Sequence, residues 1–112
     1  PDADHPPVVK LEMWIANGQA ISWLLNAIDP DNPQIAYGLS ETVTGEVRTG
    51  PIDLNRLEMS AQEFGFRIAP DEHFVPRHAL SVYREAAYSL GVITDDPIHL
   101  LEAKRRLQMG NA

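Results

Sequence analysis

Apolar and polar residues alternate from Val9 to Ile15, where Val9, Leu11, Met13 and Ile15 are separated by Lys10, Glu12 and Trp14. This period of two predicts a strand with one buried face. Asn17-Gly18 follows, the pair best suited to the positive backbone angles of a type I′ turn. A two-residue loop there would set Trp14 against Ile21 and Glu12 against Trp23, placing both indoles on one side of the sheet. The next run, Gln19 to Ile28, carries two periods at once, because Ile21, Leu24, Leu25 and Ile28 also fall at helical spacing behind Asn17. It reads as a strand or a helix, with the Asn-Gly pair and the two tryptophans favouring the strand.

Turn chemistry then divides the chain. Asp29-Pro30-Asp31-Asn32-Pro33 is a loop by composition, Gln34 to Leu39 reads as a strand, and Ser40 to Arg48 continues it through a turn near Gly45. Gly50-Pro51 is expected to end that strand. Asp53 is a good helix cap, and Leu54, Leu57, Ala61 and Phe64 follow at spacings of three and four, with Gly65 placed to stop the helix. Phe66, Ile68 and Ala69 predict a short returning strand closed by Pro70. From Pro76, Leu80, Tyr83, Ala87 and Leu90 repeat at helical spacing up to Gly91. Asp96 before Pro97 opens a last helix through Leu107, ending near Gly110. The sum is an α+β fold: a small antiparallel β-meander of three to five strands, one inserted helix and two C-terminal helices.

The length of 112 residues fits one core. Residues 1–7 hold three prolines, two aspartates and a histidine, with nothing to bury, and read as a flexible arm ahead of a single domain over 8–112. No apolar run reaches the ~18–20 residues of a membrane span, and the start is acidic rather than the basic start of a signal peptide. The absence of cysteine removes disulfides, thiolate metal sites and a cysteine nucleophile, and a reducing cytoplasm is the expected compartment.

Charge is unevenly distributed. Residues 1–99 carry 6 Lys or Arg against 15 Asp or Glu, a balance of −9, whereas Lys104, Arg105 and Arg106 face only Glu102 in the remainder. An acidic body repels phosphate, which argues against direct nucleic-acid binding. The basic tip lies in the last turns of the final helix, where it complements the helix dipole without any partner.

Chemistry is sparse. The acidic loop at Asp29 fails as an EF-hand, which would need Gly at 34 and Glu at 40, where the chain has Gln34 and Ser40. Asp71, Glu72, His73 and His78 are the densest group of metal-ligating or proton-transferring side chains. His73 and His78 are nevertheless five apart with Pro76 between them, which is not the spacing of a zinc helix, and the plainer reading is a polar turn before a helix. None of Ser22, Ser40, Ser60, Ser81 and Ser89 sits in a Gly-x-Ser-x-Gly elbow, and the glycines form no phosphate loop. No cofactor is expected.

The succession Trp23, Ile28-Asp29-Pro30, Tyr37-Gly38-Leu39, Gly50, Leu54 with Leu57-Glu58, Gly65, Ile68, Asp71, His73-Phe74 and Pro76 resembles a family of uncharacterised small proteins carried on conjugative plasmids and integrated elements. The chain departs from that pattern at Ile52-Asp53-Leu54, where the family prefers an aromatic and serine, and at Pro70, where it prefers arginine. The resemblance covers about half of the chain and leaves out the two C-terminal helices. It implies a bacterial mobile-element accessory protein and supplies no catalytic residue.

The leading functional expectation is a small, acidic, non-enzymatic module that binds another protein through an exposed aromatic or helical face, with Trp14, Trp23, Tyr37, Glu72, His73 and His78 as the candidate surface. Core packing is the competing reading for the two indoles. An alternative is an inhibitor imitating nucleic acid, which requires Glu41, Glu46, Asp53, Glu58, Asp71 and Glu72 to form one stripe. A second alternative is a small metal-dependent enzyme in which Asp71, His73 and His78 converge. A small exposed sheet also leaves an edge for a second copy, making a homodimer an expectation.

Overall fold

The computed structural model describes residues 4–15, 18–42 and 44–110. The predicted α+β architecture is present: β1 (Val9–Trp14), β2 (Ala20–Ile28), β3 (Ile35–Glu41), β4 (Val47–Asp53), α1 (Leu54–Glu63), β5 (Ile68–Pro70), α2 (Leu80–Leu90) and α3 (Pro97–Gly110). The strands form one five-stranded antiparallel sheet in the order β4-β3-β2-β1-β5. The short β5 returns beside the first strand, so β4 and β5 are its two edges.

The ambiguous run after Gly18 is a strand. In a sheet layered on both faces, long apolar runs are buried from both sides, and Ile21 to Leu25 is such a run. Alternate residues feed two separate cores. Ile21, Trp23, Leu25, Ala36 and Ile52 face α1, joined by Leu54 and Leu57 from that helix. Leu24 and Leu39 face the other way, against Val82, Tyr83, Ala86 and Ala87 of α2 and Leu100 and Ala103 of α3.

The β1–β2 register corrects the expected hairpin. Trp14 pairs with Ala20, Glu12 with Ser22 and Leu11 with Trp23. The Ile15 N–H donates to the Gln19 carbonyl at 2.9 Å, so the loop is one residue longer than a two-residue turn. Gly18 takes φ of 72°, as suits the left-handed position of a longer hairpin loop, while Asn17 lies outside the described residues. One residue of slip reverses the face of every side chain that follows, and the two indoles therefore lie on opposite sides of the sheet.

One further expectation is corrected. β4 runs through Gly50-Pro51 to Asp53 rather than ending there. It is an edge strand, and proline is tolerated where its missing N–H would face away from the ladder. The arm expected over 1–7 is, in its described part, held down: the Leu80 N–H donates to the His5 carbonyl, Ser81 bonds the Asp4 carboxylate, and Pro7 is fully buried.

Local signals explain the helix boundaries. Asp53 caps α1 by accepting the Arg56 N–H at 3.0 Å, and Asp96 accepts the Ile98 N–H at 2.8 Å at the start of α3. Gly91 ends α2 in the left-handed conformation, with its N–H on the Ala87 carbonyl at 2.7 Å.

Candidate functional site

The six residues singled out from the sequence do not form one surface. Trp23 is 5% exposed within the α1-side core, whereas Trp14, on the opposite face, is 58% exposed. Tyr37 is exposed near the start of β3, opposite Ala27 of β2, and its hydroxyl donates to Asp29 Oδ2 at 3.3 Å. Glu72 and His73 are exposed in the turn after β5. His78 is half-buried, its ring edge-on to Tyr83 with centroids 6.1 Å apart. Burial lowers the His78 pKa, and the nearby Lys104 and Arg77 charges push the same way.

Asp71 has a structural role in the fold. The Asp71 carboxylate accepts the His73 N–H at 2.9 Å in a tight turn and lies 3.7 Å from Lys10 Nζ. Among the described residues, no three His, Cys, Asp or Glu side chains come together so as to hold a metal ion.

Lys10 is the center of a charge cluster the sequence did not suggest. It is 8% exposed, and its Nζ lies 3.3 Å from Asp95, 3.7 Å from Asp71 and 3.9 Å from Glu12. The three carboxylates come from β1, the β5–α2 connection and the α2–α3 connection. This cluster ties two connections to one strand. Its ammonium is engaged by acids, which suits anchoring rather than proton transfer to a substrate.

Glu41, 9% exposed, is the second buried charge. Its two carboxylate oxygens accept the Ser22 and Ile93 backbone N–H groups, each at 2.6 Å. The β2–β3 pairing reaches Trp23 and Ser40, so Glu41 supplies an acceptor to the next β2 amide where the ladder stops.

The carboxylates proposed as a nucleic-acid mimic are dispersed. Glu46 and Asp53 border the β4 edge, Asp71 and Glu72 follow β5 on the opposite edge, and Glu41 is buried. Four strand spacings put the two edges about 19 Å apart. Glu46 is also paired with Arg48 at 2.9 Å.

One concavity has an apolar lining. Met13 and Ile15 from β1, Leu57, Ser60, Ala61 and Phe64 from the α1 region, and Phe66 before β5 line a cleft of about 340 Å³. It opens because β5 pairs β1 only at Leu11, Glu12 and Met13. Phe64 is 72% exposed and Met59, on α1, is 69% exposed. The sequence signal for this cleft is Phe64-Gly65-Phe66, two aromatics astride a helix stop.

Comparison with known families gives a match over residues 1–94 to the family described as "Protein of unknown function (DUF2958)". The chain belongs to this family. No curated protein and no solved structure matches it significantly. The matched DUF2958 region contains all five strands, α1 and α2, while α3 lies beyond it. Several positions behind the sequence resemblance have structural roles in this DUF2958 chain: Gly38 sits against the β2 backbone, Asp71 meets Lys10, and Phe74 packs on Tyr83 with centroids 6.1 Å apart. Among the described residues, no helix is long and apolar enough to cross a membrane.

Proposed function

We propose that this DUF2958 chain is a small, acidic, non-enzymatic protein-interaction module whose docking point is the cleft between β1 and α1. The observation that carries this reading is the apolar lining of Met13, Ile15, Leu57, Phe64 and Phe66, beside a largely exposed Phe64 ring. An apolar concavity with aromatic walls is suited to receive an aliphatic or aromatic side chain of another protein. The buried polar groups fit this reading, since Lys10 and Glu41 are engaged within the fold. The motif resemblance supports an accessory role on conjugative plasmids or integrated elements, with the partner another protein encoded by the element or its host.

The test is capture of partners from the native host by the wild-type chain, followed by affinity measurement with the purified partner. Phe64→Asp is expected to weaken binding by about tenfold or more, as for an interface anchor, while Val75→Asp, outside the cleft, leaves it unchanged. Equal binding by wild type and Phe64→Asp, with both folded by circular dichroism, would overturn the assignment of the cleft.

A further inference from the structure

We propose that the outer face of α3 is a self-association surface on which a second copy of this chain lays its own α3 antiparallel. One side of the helix is consumed internally, with Leu100 and Ala103 fully buried and Leu107 packed against the same core. The opposite side is also apolar: Ile98 is 67%, Leu101 56% and Met109 71% exposed. At about 100° per residue these three fall on one stripe, together with Glu102 and Arg105. A helix apolar on two faces leaves one of them without cover inside a single chain.

The charges on the stripe identify the occupant. Among the described residues neither Glu102 nor Arg105 is in an ion pair, whereas the adjacent Arg106 is engaged by Glu85 at 3.1 Å. A two-fold axis passing between Ala103 and Lys104 sets Glu102 opposite Arg105 of the second copy and Ile98 opposite its Met109, and each pair is made twice. Parallel alignment in register would instead set Arg105 against Arg105. The stripe is therefore complementary to itself in the antiparallel sense, as an isologous interface requires. Lys104 and Arg106 lie on its flanks, outside the line of contact.

The helix has 14 residues and is about 21 Å long, so the interface falls at the small end of the size range for specific complexes. The dimer is correspondingly weak, with dissociation in the micromolar range or above.

Sedimentation equilibrium from micromolar to millimolar chain is expected to show mass rising toward twice 12.5 kDa. Leu101→Asp keeps the chain monomeric. Glu102→Arg and Arg105→Glu each weaken association by about tenfold or more, and the double variant Glu102→Arg/Arg105→Glu restores it because the pairing is regenerated with signs exchanged. All three positions changed are solvent-facing, and unchanged far-ultraviolet circular dichroism checks the fold. A chain that stays monomeric throughout, or a dimer indifferent to Leu101→Asp and to the charge exchange, overturns the proposal.

Discussion

The Glu41 carboxylate accepts the backbone N–H of Ile93 at 2.6 Å, joining the end of β3 to the α2–α3 connection across 52 positions of sequence. Its other oxygen takes the Ser22 N–H at the same distance. Glutamine at this position would keep one acceptor oxygen and turn an NH₂ group toward the other donor. Glu41→Gln is therefore expected to destabilise the fold by about 2–4 kcal/mol, the sum of a lost charge-assisted bond and a buried amide left without an acceptor. Urea unfolding of the two proteins at neutral pH measures it, and a change under about 0.5 kcal/mol would remove this role.

Gly38 is fixed by close approach rather than by backbone angle. A Cβ there would meet the Leu24 carbonyl oxygen at 1.8 Å, inside the β2–β3 ladder, so even alanine forces the two strands apart. Gly38→Ala is expected to cost about 3 kcal/mol or more, as overpacking against backbone does. Gly45 is the contrasting case: its φ is 85° with nothing within 4 Å of the added atom, and Gly45→Ala is expected to cost only about 1–2 kcal/mol of left-handed strain. Urea midpoints of both variants establish the order.

What the sequence conveyed best was chemistry acting within a few residues. Asp53, Asp96 and Gly91 mark helix ends because a cap or a left-handed residue works on its own turn. The β1–β2 register was not legible, because a loop longer by one residue moves Trp14 and Trp23 to opposite faces without changing any local pattern. Lys10 and Glu41 looked like ordinary polar positions of alternating strands. Only the return of the α2–α3 connection, supplying Asp95 and the Ile93 amide, makes them buried partners. The cleft was missed for a related reason: Phe64 has helical core spacing, yet the short β5 leaves its end of the sheet uncovered.

Lys10 is the one positive charge among Glu12, Asp71 and Asp95, which all lie within 4 Å of its Nζ. Lys10→Met keeps much of the stem's packing but leaves three acidic groups around an uncharged side chain. A loss of about 2–4 kcal/mol is expected, in line with removal of one member of a buried ion cluster. Because the remaining carboxylates repel one another, the deficit shrinks in about 1 M NaCl, where the screening length is roughly 3 Å. Urea unfolding at low and high salt reads both effects, and a deficit independent of salt would assign the loss to packing.

Asp4 acts as a cap supplied from a distant part of the chain. Ala79, at the N-cap of α2, makes no side-chain bond there, and Asp4 instead accepts the Ser81 N–H at 2.8 Å and the Ser81 hydroxyl. Burial pushes the Asp4 carboxyl up, but those two bonds, with Arg84 and His5 nearby, outweigh it and hold the group below the usual carboxylate range. A carboxyl depressed in the folded state adds stability above its unfolded pKa of about 3.9 and loses it as pH falls through the folded value. Asp4→Ala is expected to cost about 1 kcal/mol at pH ~7, with the difference from wild type fading below pH ~4. Thermal unfolding as a function of pH tests this, and a difference that persists undiminished at low pH would rule out the carboxylate as its source.

His78 has a linkage of the same sign, with stability lost as pH falls, but it arises from a disfavoured positive charge rather than a favoured negative one. Burial against Tyr83 and the positive charges of Lys104 and Arg77 disfavour the imidazolium, so the folded chain protonates this ring at lower pH than an exposed histidine. As pH drops below about 6.5 the unfolded chain binds the proton first, and His78 subtracts stability progressively until the folded midpoint is passed. In a proton-detected titration the His78 ring is expected to have a midpoint below the ordinary histidine value of about 6.5. Lys104→Glu replaces a repelling charge on α3 with an attracting one and is expected to raise the His78 midpoint. A His78 midpoint at or above the ordinary histidine value, or one insensitive to Lys104→Glu, would show that the ring is not held under α3 as the structure places it.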